Sequence, residues 1–297
     1  MGIGLHSGRP ARLCLKPAAA GHGIVFLRSD MADDAIDAHV PARFDLVSDT
    51  RLNTRLENAD GVSVSTVEHL MAALAGCGVH NVRVEIDGPE VPIFDGSSHP
   101  FVRAIMAAGI VSQNAPLRIM RMVKPVEITR GDATAALVPH DDCAMDFGIA
   151  FSDAAIGTQS LSLDLSNGTF LRELADCRTF CRQRDVAFMQ SCGLALGGTY
   201  DNAVVVDGAD VLSPGGFRRS DECVRHKMLD ALGDLALSGM PFLGRFVCDK
   251  GGHAVTNLLL RAVMADPTSF EIVEADAETA GKLPGMKLTA QDYAAVV

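Results

Sequence analysis

The chain has 297 residues, of which 48% are hydrophobic and 21% are charged. These proportions are typical of a globular protein, and the length suits one large domain or two ordinary domains. The formal net charge of −11 argues against a general nucleic-acid-binding protein, which would need a basic face. A local basic patch for a phosphate group is compatible with that balance.

Cysteine spacing and hydropathy exclude further classes of protein. None of the eight cysteines lies in a CxxC pair, which argues against a zinc ribbon or a thioredoxin-like motif. We therefore expect free thiols in a reducing compartment. The N-terminus lacks the pattern of a signal peptide, and no apolar run approaches the roughly 18 residues of a membrane span. The sequence predicts a cytoplasmic protein with at most peripheral membrane contact.

The first hundred residues alternate strand patterns with helical patterns. Residues 2–8 form a glycine-rich loop, which lacks the third glycine and the preceding strand of a dinucleotide-binding fingerprint. Such a loop lets the backbone approach a ligand, although a simple tight turn is about as common. We predict strands at 11–17, 23–28, 51–56 and 80–87, and helices at 63–76 and 99–109.

The helix predicted at 63–76 carries two polar residues of interest. Its apolar residues recur at helical spacing at Val67, Leu70, Met71 and Leu74. Ser65 and Glu68 have the spacing of a capping box, so Glu68 has a structural explanation as well as a catalytic one. A lone histidine in a first helical turn, such as His69, usually packs or caps.

Residues 112–116 are the best linker candidate, because they combine polar residues with a proline. This linker divides the chain into an N-terminal α+β domain at 1–113, a C-terminal α+β domain at 117–275 and a tail at 276–297. In the second domain, the sequence predicts strands at 117–129, 134–139, 144–151, 202–207 and 242–249. Its predicted helices lie at 185–191, 221–239 and about 256–264.

The helix predicted at 221–239 has the most informative polar pattern, with Asp221 as a plausible N-cap. His226, Asp230 and Asp234 follow at intervals of four residues, which places them on one stripe of the helix. A histidine and a carboxylate one turn apart can hold one metal ion. A solvated polar face is the commoner meaning of such spacing, and two ligands are too few for zinc.

A weak internal repeat supplies the third ligand. The segment 69–76 resembles the segment 226–233: each starts with a histidine and ends with a glycine. This repeat suggests two related α+β halves, each presenting a histidine-bearing helix. A site shared between the halves would combine His69 with His226 and Asp230, the three ligands of a catalytic zinc. Ferrous iron suits the same donors.

The remaining polar residues suit amide hydrolysis at such a metal. Glu68 is the candidate base for the attacking water, and His253 is the candidate acid for the leaving amine. Asp234 would orient His253, as a carboxylate orients an imidazole in other triads. Lys227 would polarise the carbonyl or bind a phosphate. Each has an ordinary alternative: a cap for Glu68, an exposed loop for His253 and a solvated helix face for Lys227.

Seven short motifs are spread from residue 4 to residue 253. They are Gly-Leu-His-Ser-Gly (4–8), Ser-Thr-Val-Glu-His-Leu (65–70), Pro-Ile-Phe-Asp-Gly-Ser (92–97), Cys-Arg-Thr-Phe (177–180), Leu-Gly-Gly-Thr (196–199), Val-Arg-His-Lys-Met-Leu-Asp-Ala-Leu-Gly-Asp-Leu (224–235) and Gly-His (252–253). With them the chain resembles the UDP-3-O-acyl-N-acetylglucosamine deacetylases, the zinc amidohydrolases of lipid A synthesis, over residues 4 to about 264.

The resemblance implies a role for the polar residues of both helices. Zinc is expected on His69, His226 and Asp230. Glu68 is expected to be the base, and His253 the acid or electrostatic stabiliser with Asp234 as its partner. Thr179 is expected to meet the oxyanion. The residues expected at the substrate are Lys227 and His6 at the nucleotide diphosphate, Phe180 at the sugar, and also Leu5 and Asp185.

The resemblance also implies a fold of two βααβ-type layers packed face to face, with the site between them and an insert in each half. The second insert, at about 179–206, is expected to form an apolar passage for the acyl chain. The residues expected along it are Val186, Met189, Ala195, Tyr200, Ala203 and Val205. Two departures stand out: the family usually has about a dozen more residues before Gly-Leu-His, and Gly-Phe where this chain has Cys181-Arg182.

The expected activity is zinc-dependent removal of the N-acetyl group from UDP-3-O-(3-hydroxyacyl)-N-acetylglucosamine. The expected partner is this small UDP-sugar lipid rather than a nucleic acid, and the expected setting is a monomer in the cytosol of a Gram-negative bacterium. Two alternatives remain open. One is a nucleotide-sugar-binding module with a structural zinc, and the other is a zinc amidase for another acylated small molecule.

Overall fold

The computed structural model describes residues 1–31 and 36–294, which form a mixed α+β structure with several sheets. Residues 32–35 of the predicted first domain and residues 295–297 of the predicted tail lie outside the described residues. Within the described part of the chain, no helix is both long enough and apolar enough to cross a bilayer. The eight cysteines are all free, as the sequence predicts.

The first part of the chain forms a four-stranded sheet with smaller sheets beside it. Its elements are β1 (Gly2–Ile3), β2 (Pro10–Ala11), β3 (Leu13–Pro17), β4 (Ile24–Arg28), β5 (His39–Pro41), β6 (Val47–Asp49), β7 (Arg55–Glu57), β8 (Ser63–Val64), α1 (Glu68–Gly76), β9 (Val82–Ile86) and α2 (His99–Ala108). The main sheet has the order β3-β9-β4-β5. Strands β4 and β9 are parallel, so a crossover must join them, and that crossover contains α1.

The second part of the chain forms a seven-stranded sheet and a small three-stranded sheet. Its elements are β10 (Arg118–Met122), β11 (Val126–Arg130), β12 (Ala133–Val138), β13 (Cys143–Ala150), β14 (Thr158–Asp164), α3 (Thr169–Glu173), β15 (Phe180–Arg182), α4 (Gln183–Ser191), β16 (Val204–Asp207), β17 (Asp210–Val211), α5 (Glu222–Leu235), β18 (Phe242–Asp249), α6 (His253–Ala265), β19 (Phe270–Glu274), α7 (Ala277–Ala280) and α8 (Ala290–Ala294). Strand β18 lies inside the large sheet, bonded to β10, β12 and β13. The short strands β15, β16 and β17 form the separate sheet.

The predicted helices are confirmed, with shifted ends. Helix α5 begins at Glu222 after Asp221, whose carboxylate does not cap the helix but pairs with Arg225 Nε at 2.7 Å. Helix α1 is shorter than predicted, because residues 63–64 belong to β8. Helix α6 begins at His253, three residues earlier than predicted, so this histidine belongs to a helix rather than to a turn.

Two strand predictions are wrong, and both failures have a local cause. The single strand predicted at 117–129 is divided into β10 and β11. Pro125 lies in the interruption and has no N–H for a ladder bond. Of the strand predicted at 51–56, only Arg55 and Leu56 lie in a strand, β7; residues 51–53 form a bend, with Leu52 at φ 65° in the left-handed region. Strands β14 and β19 and helix α3 were not predicted.

Helices α1 and α5 pack directly against each other at the centre of the molecule. A glycine at the crossing permits their close approach, because a Cβ at Gly233 would overlap the backbone carbonyl of Glu68. The same Cβ would lie 3.0 Å from the amide nitrogen of Ala72. The crossing therefore fixes the first turn of α1, with Glu68 and His69, against the polar stripe of α5.

We predict that Gly233→Ala destabilises the protein. Alanine is the better helix former by about 1 kcal/mol, but crowding in a packed core costs about 1–3 kcal/mol, and here the crowded atoms are backbone. Because backbone atoms cannot move aside as the end of a flexible side chain can, we expect a crowding cost of about 2–3 kcal/mol, so the free energy of unfolding, measured by chemical denaturation, should fall by about 1–2 kcal/mol.

The reverse change at Ala104, an exposed position within α2, measures the difference in helix propensity between alanine and glycine alone. Ala104→Gly should cost about 1 kcal/mol with no crowding term. A Gly233→Ala protein as stable as the parent chain would contradict the proposed close crossing.

Candidate active site

Three buried side chains from α1 and α5 converge at the helix crossing. One ligand atom each from His69, His226 and Asp230 lies within 4.8 Å of the other two. Asp230 Oδ1 is 3.4 Å from His69 Nε2 and 3.3 Å from His226 Nε2. The imidazole rings meet edge to face, with centroids 4.9 Å apart. These are the residues that the internal repeat predicts to share a site.

The chemistry of this group fits a divalent cation. His226 Nδ1 lies 3.0 Å from the carbonyl oxygen of Cys177 and must donate to it, so Nε2 carries a lone pair. Burial lowers the pKa of His226 to about 4, despite Asp230, so the ring is neutral at pH 7. Asp230 Oδ1 is buried without a hydrogen-bond partner. Two electron-rich atoms therefore face each other at 3.3 Å, an arrangement that a shared cation stabilises.

The other oxygen of Asp230 is held by a cation from the protein. Lys227 Nζ lies 3.3 Å from Asp230 Oδ2. Burial opposes ionisation of this carboxyl, but His226, Lys227 and His69 together hold its pKa well below the ordinary value. Asp230 is thus an ionised carboxylate at neutral pH, as a metal ligand must be.

Glu68 lies beside the ligand group and does not cap its helix. The amide of Ser65 donates to the carbonyl of Pro89 at 2.9 Å, so the reciprocal bond of a capping box is absent. Glu68 Oε2 instead accepts from the amide of Thr54 at 3.0 Å. Burial raises the pKa of Glu68 to about 7, against the opposing charges of His253 and His69. A carboxyl with that pKa can both take and release a proton at neutral pH.

His253 faces Glu68 from the start of α6. Its Nε2 lies 4.0 Å from Glu68 Oε1, and its Nδ1 lies 2.7 Å from Asp234 Oδ2. The side chain is buried, so the alternative of an exposed loop histidine is wrong. Burial alone would lower the pKa of His253, but the charge and hydrogen bond of Asp234, with Glu68 and Asp230, raise it to about 9. His253 is therefore a cation at neutral pH.

The glycine-rich loop at residues 2–8 is held by a buried carboxylate that the sequence analysis missed. Glu90 accepts from the amides of His6 at 2.8 Å and of Ser7 at 2.7 Å. Glu90 follows no helical or strand pattern that marks it, since it lies in a turn-rich segment. These two bonds fix the direction in which the His6 side chain leaves the loop.

His6 joins the first part of the chain to the second insert. Its Nδ1 accepts from the amide of Ala195 at 3.3 Å, and the carbonyl of Leu5 accepts from the amide of Gly197 at 3.0 Å. Burial lowers the pKa of His6, although Glu90 opposes that shift. The neutral ring then carries its proton on Nε2, a buried atom that no described group bonds.

The segment 177–180 runs along His226. The ring of Phe180 is 6.4 Å from the His226 ring between centroids, in an edge arrangement. Thr179 precedes it, half-buried, and its amide donates to the carbonyl of Gly96 at 2.8 Å. Both residues thus lie in the segment that bonds a ligand of the candidate metal centre.

The predicted passage residues all lie in the insert that contains β15, α4 and β16. Met189, Ala203 and Val205 are buried, while Val186 and Ala195 are partly buried. Tyr200 is 46% exposed, and its hydroxyl lies 3.1 Å from Gln183 Oε1. That these residues line an acyl passage stays a prediction.

Asp185 lies at the first turn of α4 and forms an ion pair. Its Oδ2 accepts from Arg182 Nε at 2.6 Å. Arg182 stands where the resemblance leads us to expect an aromatic residue. This pair is partly exposed, so the departure from the family pattern at residue 182 places a positive charge beside Asp185 rather than inside the core.

Comparisons with known proteins show the family to which the chain belongs. The family model LpxC, described as UDP-3-O-acyl N-acetylglycosamine deacetylase, matches residues 1–265. A UDP-3-O-acyl-N-acetylglucosamine deacetylase of Anaeromyxobacter sp. (strain Fw109-5) is 49% identical over 285 residues, which cover 95% of this chain and 92% of the relative. The proteins of that name from Idiomarina loihiensis and Myxococcus xanthus are 46% and 48% identical.

The Idiomarina loihiensis match covers 94% of this chain and 91% of that relative, and the Myxococcus xanthus match covers 92% and 86%. The family match includes both helices of the candidate metal centre and the His253 position. Identity at this level over nearly the whole chain exceeds what a shared fold alone requires. The chain belongs to the LpxC family of UDP-3-O-acyl N-acetylglycosamine deacetylases.

Proposed function

We propose that the chain hydrolyses the N-acetyl group of UDP-3-O-(3-hydroxyacyl)-N-acetylglucosamine to give acetate and UDP-3-O-acyl-glucosamine. The setting is lipid A biosynthesis in the cytoplasm of a Gram-negative bacterium, with zinc as the metal. One observation carries the proposal: the His69, His226 and Asp230 group lies beside a base and a protonated imidazole. Family membership supports the choice of substrate.

Zinc on His69, His226 and Asp230 would polarise the amide carbonyl and make a water molecule more acidic. Glu68 would accept the proton of the attacking water, since its pKa of about 7 suits proton exchange at neutral pH. His253 would donate a proton to the amine nitrogen as the carbon–nitrogen bond breaks. Asp234 bonds His253 Nδ1 and so directs Nε2 toward the reacting groups.

We assign the surrounding residues to substrate binding. Thr179 would donate to the developing oxyanion, and Phe180 would contact the sugar from its place beside His226. Lys227 and the Nε2–H of His6 would bind the diphosphate, because both present donors near the site. Leu5, Asp185 and the insert residues would contact the remainder of the substrate, with the acyl chain in the predicted passage.

The proposed architecture places this site between two related halves, residues 1–113 and 117–275. The crossing of α1 with α5 supports this division, because each helix supplies at least one of the grouped ligands. A binding module with a structural zinc is the less favoured function. Structural zinc sites usually have four protein ligands, and a buried Glu68–His253 pair would serve no purpose there.

We predict that Glu68→Gln lowers kcat about 10²–10⁴-fold while substrate affinity is retained, because the amide cannot accept the proton of water. Single-turnover kinetics and equilibrium binding separate the two quantities. Glu127→Gln, at an exposed position of β11, is the matched control and should leave both unchanged. Unchanged turnover in Glu68→Gln would contradict the role of Glu68 as base, whereas a binding module predicts that neither the parent chain nor the variant turns over the substrate.

We predict one bound zinc ion per chain and complete loss of activity after dialysis against EDTA. Activity should return with zinc, and ferrous iron should also support it, because both ions accept imidazole and carboxylate ligands. Metal content by mass spectrometry and turnover on the same sample give the measurement. A metal-free sample with full activity would exclude metal-assisted hydrolysis.

The pH profile should have an alkaline limb set by His253. The protonated imidazole is the active form, so activity is present below its pKa of about 9 and is lost as the pH rises through that value. In Asp234→Asn, the negative charge that opposes the effect of burial is removed, so the pKa of His253 falls and the alkaline limb should move to lower pH. The profile of kcat/KM against pH measures the shift; an unmoved limb would contradict the assignment.

A further inference from the structure

Thr54 contacts two of the carboxylates at the candidate active site. It is 2% exposed and lies directly before β7, in a segment predicted as an ordinary strand. Its hydroxyl donates to Asp234 Oδ1 at 2.6 Å, and its amide donates to Glu68 Oε2 at 3.0 Å. One residue of the first half therefore bonds a carboxylate on each of the crossing helices.

The second oxygen of each carboxylate faces His253. Asp234 Oδ2 lies 2.7 Å from His253 Nδ1, and Glu68 Oε1 lies 4.0 Å from His253 Nε2. A carboxylate with one oxygen fixed by a donor can rotate little about its terminal bond. The two bonds to Thr54 thus set the direction in which both carboxylates meet the imidazole.

The backbone around Thr54 is fixed to the start of α1. Its carbonyl accepts from the amide of Val67 at 3.3 Å, and the side chain of the preceding Asn53 donates to Thr66 Oγ1 at 2.9 Å. Leu52 and Thr66 both adopt positive φ, at 65° and 56°. Residues other than glycine rarely adopt this backbone conformation, and it persists only where surrounding contacts hold it.

We propose that Thr54 is a positioning residue, whose hydroxyl holds Asp234 so that His253 stays aligned with Glu68. The inference rests on the roles proposed above for these three residues. The amide donor to Glu68 exists for nearly any residue at position 54, whereas the donor to Asp234 requires a hydroxyl side chain. The hydroxyl bond to Asp234 can therefore be removed by substitution of the side chain, while the amide bond to Glu68 is kept.

Thr54→Val removes the hydroxyl and keeps both the branched shape and the backbone amide. We expect kcat to fall about 10–100-fold, since small misplacements of reacting groups carry losses of this size. KM should stay within about twofold, because Thr54 is assigned no contact with substrate. Thr54→Ser retains the donor and should restore kcat to within about threefold of the parent enzyme. Equal losses in both variants, or none in the valine variant, would overturn the proposal.

A double-mutant cycle with Asp234→Asn tests the route of the effect. If Thr54 acts through Asp234, adding Thr54→Val to Asp234→Asn should change kcat little. If the loss of kcat in the double variant equals the product of the two separate losses, Thr54 acts independently of Asp234, and the inference is contradicted. Thr158→Val, at an exposed position of β14, makes the same chemical change away from the site and should leave kcat unaltered.

The Glu68→Gln variant, assayed in parallel, separates this inference from the proposed function. If Glu68→Gln retains turnover, the proposed role of Glu68 fails, and if the parent chain does not turn over the UDP-sugar, the proposed function itself fails, whatever Thr54→Val does. If Glu68→Gln is inactive and folded Thr54→Val is fully active with zinc bound, only the role of Thr54 fails. If the valine variant does not fold, Thr54→Ala also removes the hydroxyl, and a kcat equal to that of the parent would likewise overturn the role.

Discussion

The candidate active site depends on the close contact between α1 and α5. These two helices come from distant parts of the chain, and Gly233 lets the backbone of α1 approach α5 without a side chain between them. That contact brings His69 to 3.4 Å from Asp230. Neither helix holds the three ligands alone, so the metal chemistry is a property of the packed tertiary structure.

Burial and charge together set the state of each ionisable group at this crossing. The neutral His226 ring and the ionised Asp230 suit a metal ion, while the charged His253 suits proton donation. All lie in the same buried region, yet burial lowers the pKa of His226, whereas the charge and hydrogen bond of Asp234 raise the pKa of His253. In a low-dielectric site such local partners outweigh the residue type in deciding the chemistry.

Periodicity in the sequence predicted the main helices, and the i, i+4 spacing of His226 and Asp230 predicted ligands on one face. Their meeting with His69 followed from the internal repeat and the family resemblance. The roles of Thr54 and Gly233 could not be predicted, because they depend on contacts between segments about 180 and about 165 residues apart, respectively. Local pattern also misjudged residues 51–56, where tertiary contacts impose a bend on a strand-like sequence.

Helices α1 and α5 are proposed to hold one zinc ion between them. Anomalous diffraction from crystals of the zinc-loaded protein, recorded on both sides of the zinc absorption edge, would locate that ion. We expect a single strong peak about 2.0–2.2 Å from His69 Nε2, His226 Nε2 and a carboxylate oxygen of Asp230. A peak coordinated by cysteines, or one bound by α5 without His69, would contradict it.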